Sequence, residues 1–235
     1  TLVLHVTWPT TANQHSVIMT QSVSTRNRHI DLKTPPANPV KLTAEEMALY
    51  LQPTRFLPTD GIVAKTANKI IQGRGDNNID RAKMIYYWVV ANTQRDPKTL
   101  GCGDGNVKQM LDSGNLSGKC ADINALFVAL ARSVGIPARD AYGVRLGKSD
   151  MGFNSLGKDG DITKAQHCRA EFYMEGYGWI PVDPADVRKV MLEEQAGGLP
   201  FSDPKVQKAN DWMFGGWEMN WMAYNHAHDL KLPGA

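Results

Sequence analysis

Apolar residues follow three different rhythms along this 235-residue chain. Near the start, "LVLHV" and "SVIMTQSV" have strand-like composition, and the Pro-rich "TPPANP" interrupts the pattern before Val40. Residues 1–42 are therefore predicted to be β-rich. A helical rhythm takes over in the middle. "TAEEMALYL" predicts a short helix with Thr43 as N-cap and Glu46 three residues on, the spacing of a capping box. "QPTRFLP" predicts an extended connector, because Pro53 and Pro58 disfavour helix around them. Asp60 is placed to cap "GIVAKTANKII", with Gly73 as its stop. The next helix, "DRAKMIYYWVVANT", carries Ala82, Ile85, Tyr86 and Val89 on one face. Residues 101–105 predict a glycine loop, followed by one short helix in "VKQMLDS".

The most apolar helix follows, in "NLSGKCADINALFVALARSVGIPAR". Ile123, Leu126, Phe127, Leu130 and Val134 are surrounded by alanines, the mark of a helix buried on nearly every side. Gly135 suits a left-handed turn at its end, and Pro137 prevents continuation.

After it the rhythm becomes that of strands: "ARDAYGVRL" (138–146), "HCRAEFYM" (167–174) and "GWIPVD" (178–183). Residues 147–163, rich in Gly, Asp, Ser and Lys, predict a mobile surface loop. Residues 196–216 read mostly as connector, and the tail "WEMNWMAYNHAHDL" as a strand. Helices followed by antiparallel strands indicate an α+β fold.

Composition narrows the possible functions. The chain has 26 basic and 24 acidic residues, 42% hydrophobic residues and no Lys/Arg cluster, so neither nucleic acid nor an anionic membrane is indicated as a partner. No run approaches a membrane-spanning length, so no membrane insertion is expected. The chain begins at Thr1, as a processed or trimmed chain would. Three cysteines, Cys102, Cys120 and Cys168, are too few for a disulfide scaffold. In an exported chain an odd count can mean one bridge and one reactive thiol.

Cys120 is the first candidate for chemistry. It falls in the first turn of the apolar helix, where unpaired N–H groups and the helix dipole favour a thiolate. The plainer alternative is a small buried hydrophobe. "AQHCRAEFYMEGYGWIPVDPAD" supplies the second half. Two strands flank a glycine-containing turn, so a hairpin is predicted. A turn centred near Glu175 sets His167 opposite Asp183. One centred at Gly176 sets His167 opposite Ala185, with Asp183 diagonal and still in reach. Thiol, imidazole and carboxylate then supply nucleophile, base and orienting group, the three roles of a thiol acyl-transfer site.

"GKCADINALFVALARSVGIPAR", "HCRAEFY" and "GYGWIPVDPAD" resemble the bacterial transglutaminase-like superfamily of papain-like Cys-His-Asp proteins. The resemblance runs through roughly residues 60–190. It implies a papain-like α+β core over 58–235, with the Cys-bearing helix packed on an antiparallel sheet, preceded by a β-rich extension over 1–57. The family's nucleophile falls on Cys120, its histidine on His167 and its aspartate on Asp183, and Glu171 matches a recurrent acid of the same strand. Arg169 departs from the aromatic residue that many members carry there. It shares a strand face with His167 and Glu171, and can pair with Glu171 or present its charge to a substrate carboxylate. The resemblance implies a substrate peptide or protein carrying an amide group, no cofactor, and a periplasmic or secreted location. Hydrolysis by a cysteine protease or amidase is the favoured outcome. Amine-accepting transglutamination and a catalytically silent partner-binding module, occluded by the 147–163 loop, are the alternatives.

Secondary signals complete the reading. The Cys120 backbone N–H is the natural first oxyanion donor, and Gln109, Asn115 and Trp88 are candidates for the second. Cys102 and Cys168 are candidates for a disulfide, with two reduced thiols as the alternative. "HAHD" (His226, His228, Asp229) imitates a ligand cluster but has no partner at ligand spacing, so no metal is assigned. Trp212, Trp217, Trp221 and Tyr224 are read as packing residues.

Overall fold

A computed structural model describes residues 3–11, 14–72, 75 and 77–232. Leu2 of the first strand-like run and Gly73, the expected helix stop, lie outside the described residues. In chain order the elements are β1 (Arg28–His29), α1 (Ala44–Leu51), α2 (Gly61–Ile71), α3 (Asn78–Asn92), β2 (Gln94–Arg95), α4 (Val107–Ser113), β3 (Ser117–Gly118) and α5 (Cys120–Ser133). Then come β4 (Ala138–Arg145), β5 (Gln166–Met174), β6 (Gly178–Val182), α6 (Pro184–Glu193), α7 (Pro204–Trp212), β7 (Gly216–Trp217) and β8 (Trp221–Asn225).

The core forms where α5 meets an antiparallel sheet of order β6-β5-β4-β8. Leu126, Phe127 and Leu130 of α5 are completely buried, each contributing roughly 1.5–3 kcal/mol by leaving water. Phe127 meets Phe172 of β5 with ring centroids 6.2 Å apart. The α5 helix ends as expected: Gly135 is left-handed (φ 80°), and the N–H groups of Gly135 and Ile136 bond the Arg132 and Ala131 carbonyls. Helices α2, α3 and α6 pack around α5, so the start of α5 is held from several sides.

The β5–β6 hairpin adopts the second of the two expected registers. Ala170 pairs with Val182 and Tyr173 with Trp179, which centres the turn at Gly176. Asp183 therefore lies one residue past the end of β6, diagonal to His167, where it becomes the N-cap of α6.

Thr43 and Glu46 form the expected capping box, with bonds of 3.2 and 2.9 Å. Asp60 occupies the N-cap position of α2 but makes no side-chain cap bond. Its carbonyl accepts from Val63 and Ala64 instead.

Three expectations are corrected. Among the described residues of 3–42 only β1 is a strand, pairing antiparallel with β7. Leu4 is 70% exposed and Ile18 90% exposed, so strand-like composition here has no neighbour to complete a ladder. The later part of this segment is anchored nonetheless: Arg28 bonds Glu171 and the Trp179 carbonyl, and Thr25 bonds the Met219 carbonyl. Residues 147–163 are packed rather than free, because Phe153 and Leu156 are buried and Glu194 accepts from the Asn154 and Ser155 N–H groups at 3.0 Å. The supposed connector 196–216 contains α7, capped by Asp203 with Pro204 in its first turn. No helix among the described residues is long and apolar enough to cross a membrane.

Candidate active site

The site begins at the first turn of α5. Lys119 holds the N-cap position and Cys120 is the first helical residue. The Asp122 carboxylate accepts from the Lys119 and Gly105 N–H groups, both at 2.9 Å. The Cys102 carbonyl accepts from Ala121 N–H, also at 2.9 Å. These bonds lash the glycine loop to the helix start. A Cβ at Gly103 (φ 94°) or Gly118 would run into the Asp122 carboxylate, which explains glycine at both. Among the described residues the Cys120 N–H has no acceptor.

This lashing gathers all three cysteines. Their sulfurs lie within 4.8 Å of one another, and all three are free thiols. The Cys102–Cys168 bridge is therefore not formed. Each of the two thiols instead interacts with Cys120, and with the bridge goes the odd-cysteine argument for export. Hydrogen bonds from Cys102 and then Cys168 hold the Cys120 thiol well below its ordinary range, against burial and with help from His167. Cys102 is pushed up to about 11, first by its bond to Cys120, and Cys168 is raised by its bonds to Cys102 and Cys120.

His167, on β5 opposite Gly143 of β4, is 4% exposed. Its Nε2 lies 2.7 Å from Asp183 Oδ2 and 3.3 Å from Asp186 Oδ1. With Nε2 committed to the carboxylates, Nδ1 is the ring nitrogen available to Cys120, with which His167 interacts. The Trp221 indole bonds the His167 carbonyl at 2.9 Å and fixes the strand there. Burial and the Arg145 guanidinium lower the His167 pKa, but Asp186 and Asp183 outweigh them and raise it to about 9.

Asp183 divides its two oxygens. Oδ1 accepts from Asp186 N–H at 3.1 Å, capping α6, and from Asn124 Nδ2 at 3.3 Å, while Oδ2 faces His167. Burial and the Asp186 charge raise its pKa. Asp186 is ion-paired with Arg145, and despite burial it is held well below the usual carboxylate range by Arg145 and His167. Asp186, Arg145 and Asn124 were not anticipated. Asp186 carried a signal, since an Asp-Pro-x-Asp sequence at a helix start turns its second carboxylate back toward the cap.

Arg169 does neither of the things expected of it. It is 3% exposed, with Nε 3.3 Å from Asp183 Oδ2 and Nη1 bonded to the Glu218 carbonyl at 3.0 Å. Its guanidinium lies 4.8 Å from the Trp221 ring centroid. Glu171 pairs instead with Arg28 and Arg139. The register explains this: Arg169 lies across from position 183.

Cys120 and His167 open into one cleft of about 410 Å³, walled by Arg95, Lys119, Ser155 and Lys158 among others. The 147–163 segment is thus a wall of the cleft. The three other oxyanion candidates are elsewhere. Trp88 lines a separate cavity of about 630 Å³ with Ile70 and Leu116. Gln109 lines a shallow surface site on α4, and Asn115 is spent on Ser117.

Among the described residues two groups have metal-ligating donors: the three sulfurs, which suit a soft ion, and His167 with Asp183 and Asp186. The second group already bonds internally. "HAHD" is tied down otherwise, with His226 Nδ1 2.9 Å from the Asp140 carbonyl, His228 3.2 Å from the Asp140 carboxylate, and Asp229 accepting from Arg55 N–H at 2.9 Å.

Residues 64–184, just over half of the chain, match the model of the transglutaminase-like superfamily. The chain belongs to the transglutaminase-like superfamily. The matched core contains Cys120, His167 and Asp183, and stops short of Asp186. An uncharacterized protein of Haemophilus influenzae is 40% identical over 97% of this chain, and the chain spans 64% of that protein's length. The fold is similar to the periplasmic domain of TgpA from Pseudomonas aeruginosa (19% identity, TM-score 0.48, 74% of this chain and 54% of that one). It is also similar to a provisionally named cysteine protease from Cytophaga hutchinsonii (21% identity, TM-score 0.47, 78% of this chain and 54% of that one). Membership rests on the match over the core.

Proposed function

We propose that this superfamily member performs thiol-dependent acyl transfer on amide or peptide bonds, with water as the usual acceptor. The observation that carries the proposal is the meeting of Cys120, at the open first turn of α5, with a buried imidazole held 2.7 Å from a carboxylate. In the resting site the Cys120 proton resides on His167, because the Cys102 and Cys168 thiols and the helix start favour thiolate and the two aspartates favour imidazolium. The Cys120 sulfur attacks the amide carbon, and the Cys120 N–H takes the developing oxyanion. His167 gives its proton to the leaving amine, forming a thioester. Water, deprotonated by His167, then releases the acid and restores the thiolate. Asp183 orients the ring throughout.

The test is the pH dependence of iodoacetamide labelling, with mass spectrometry assigning the label to each cysteine. Fast labelling of Cys120 well below pH 7, lost in His167→Ala, is the expected result. Cys120→Ala is expected to remove all amidase and amine-incorporating activity while the protein stays folded. Labelling that follows an ordinary thiol, with a half-point near pH ~8.5, would favour a binding module over an enzyme. Amine incorporation outpacing hydrolysis would assign transglutamination.

A further inference from the structure

The chain as a whole is nearly neutral, with a formal net charge of +2, yet the cleft at Cys120 is not. Six cationic side chains line it, Arg95, Lys119, Arg145, Lys158, Lys164 and Lys189, against the single carboxylate of Glu193. The partners of these groups decide what the cleft offers a ligand. Arg145 is committed to Asp186 behind His167. Arg95 and Lys189 share Glu193, at 2.5 and 3.6 Å. Among the described residues Lys119, Lys158 and Lys164 have no ion-pair partner. Of the acids nearest in sequence to Lys158, Asp159 pairs with Lys148, and Asp161, bonded by Thr163, meets Lys158 only as a charge through space and not as an ion pair.

Three lysines without an ion-pair partner therefore line the cleft of the nucleophile, one from the helix start and two from the 147–165 segment. The thiolate alone does not balance them, since its charge is matched by the His167 imidazolium. A cleft lined by one sign of charge focuses its field on the entering ligand.

We infer that the cleft selects an acidic substrate, a peptide whose reactive amide is flanked by carboxylate side chains. This rests on the acyl-transfer reading of the same site. The type of cation favours carboxylates over phosphates. Arg145 is held by Asp186 and the Leu156 carbonyl, and Arg95 pairs with Glu193 through Nε, so both guanidinium charges are already matched and the free charge of the cleft is carried by lysines rather than by the forks that grip phosphate. Separate lysine point charges suit carboxylates spaced along an extended chain. The expectation that Arg169 meets a substrate carboxylate is thereby transferred to Lys119, Lys158 and Lys164.

The test compares a charged with a neutral alkylating reagent at Cys120, so it needs no known substrate. Rates of labelling by iodoacetate and iodoacetamide are measured on the intact chain, and their ratio is set against that of N-acetylcysteine amide. The expected ratio at Cys120 exceeds the model thiol's by about tenfold at low salt. It falls toward the model value near ~1 M salt, where the Debye length is only ~3 Å. The imidazolium also attracts iodoacetate, so the lysines are isolated by variants. Lys158→Gln with Lys164→Gln, both exposed positions, should lower the ratio about threefold or more with an unchanged melting temperature. A peptide amide flanked by glutamates should then be turned over faster than its glutamine-flanked counterpart. A Cys120 that labels readily with iodoacetamide but shows the model ratio, or a ratio indifferent to the lysine variants, overturns this inference and leaves acyl transfer standing. A Cys120 inert to both reagents below pH 7 overturns both together.

Discussion

Strand β5 is flanked by two buried charge clusters that behave differently. Glu171, fully buried, is gripped by Arg28 and by Arg139, whose guanidinium lies 3.9 Å from the Trp179 ring centroid. Burial alone would raise the Glu171 pKa, but the two guanidiniums hold it below the usual carboxylate range. Glu171 is therefore an ionised carboxylate at neutral pH. Around His167, two carboxylates face Arg145 and Arg169, and the match is incomplete: among the described residues Asp186 Oδ2 and Arg169 Nε have no hydrogen bond. The Arg169 contact with Asp183 is electrostatic, at 3.3 Å but without hydrogen-bond alignment. The first cluster joins the N-terminal segment to the sheet. The second, on the acyl-transfer proposal, holds the proton that moves. Saturation separates a structural cluster from a chemical one more clearly than burial does.

The contrast is testable, beginning with its largest expected effect. Asp183→Asn keeps an oxygen for the α6 cap but removes the charge that favours imidazolium. It should lower kcat/KM by about 10³–10⁴-fold, measured per folded molecule. A loss under tenfold would mean that Asp186 alone sustains the base.

Glu171→Gln leaves two guanidiniums facing a neutral amide. It should cost about 3 kcal/mol in urea unfolding, the lower end for a broken buried pair because Arg28 is partly exposed. Cys120 labelling in the folded protein should change by less than about twofold, since neither Arg28 nor Arg139 lines the cleft. A collapse of labelling without unfolding would join the two clusters into one network.

The smallest effect concerns pH. The folded pKa of His167, about 9, exceeds its ordinary value of 6.5. Its contribution to stability is therefore complete below pH 6.5 and is lost as pH rises through about 9. The alkaline limb of Cys120 reactivity should fall in the same upper range. Asp186→Asn should move that limb down by about one unit, read from the labelling profile. An unmoved limb would assign the raised pKa to Asp183 alone.

The sequence made some of this legible and hid the rest for identifiable reasons. Cys120, His167 and Asp183 come from local grammar: a glycine lead-in, an apolar helix and a hairpin whose turn sets the register. Asp186 lies in the same local stretch, where Asp183-Pro184 reads equally as the end of a strand and as the start of a helix, and the structure makes it the start of α6. The same signature, Asp203-Pro204, opens α7, hidden in a stretch whose composition reads as connector. Arg145 escaped because its partner is 41 residues away, a distance no local pattern spans. The expected N-terminal strands do not form because β-propensity reports packing on a neighbour, and Leu4 and Ile18 are exposed instead. Phe153 and Leu156 were the apolar warning inside an otherwise polar loop.

Asp183 gives the molecule a form of latency. Its carboxylate starts α6 with one oxygen and steadies the imidazole with the other, so helix and base come into register in the same event. A chain still threading through partly folded states has the thiol and the histidine but not their alignment. Reactivity toward amides, including those of its own newly made backbone, is expected to arrive only with the finished tertiary structure.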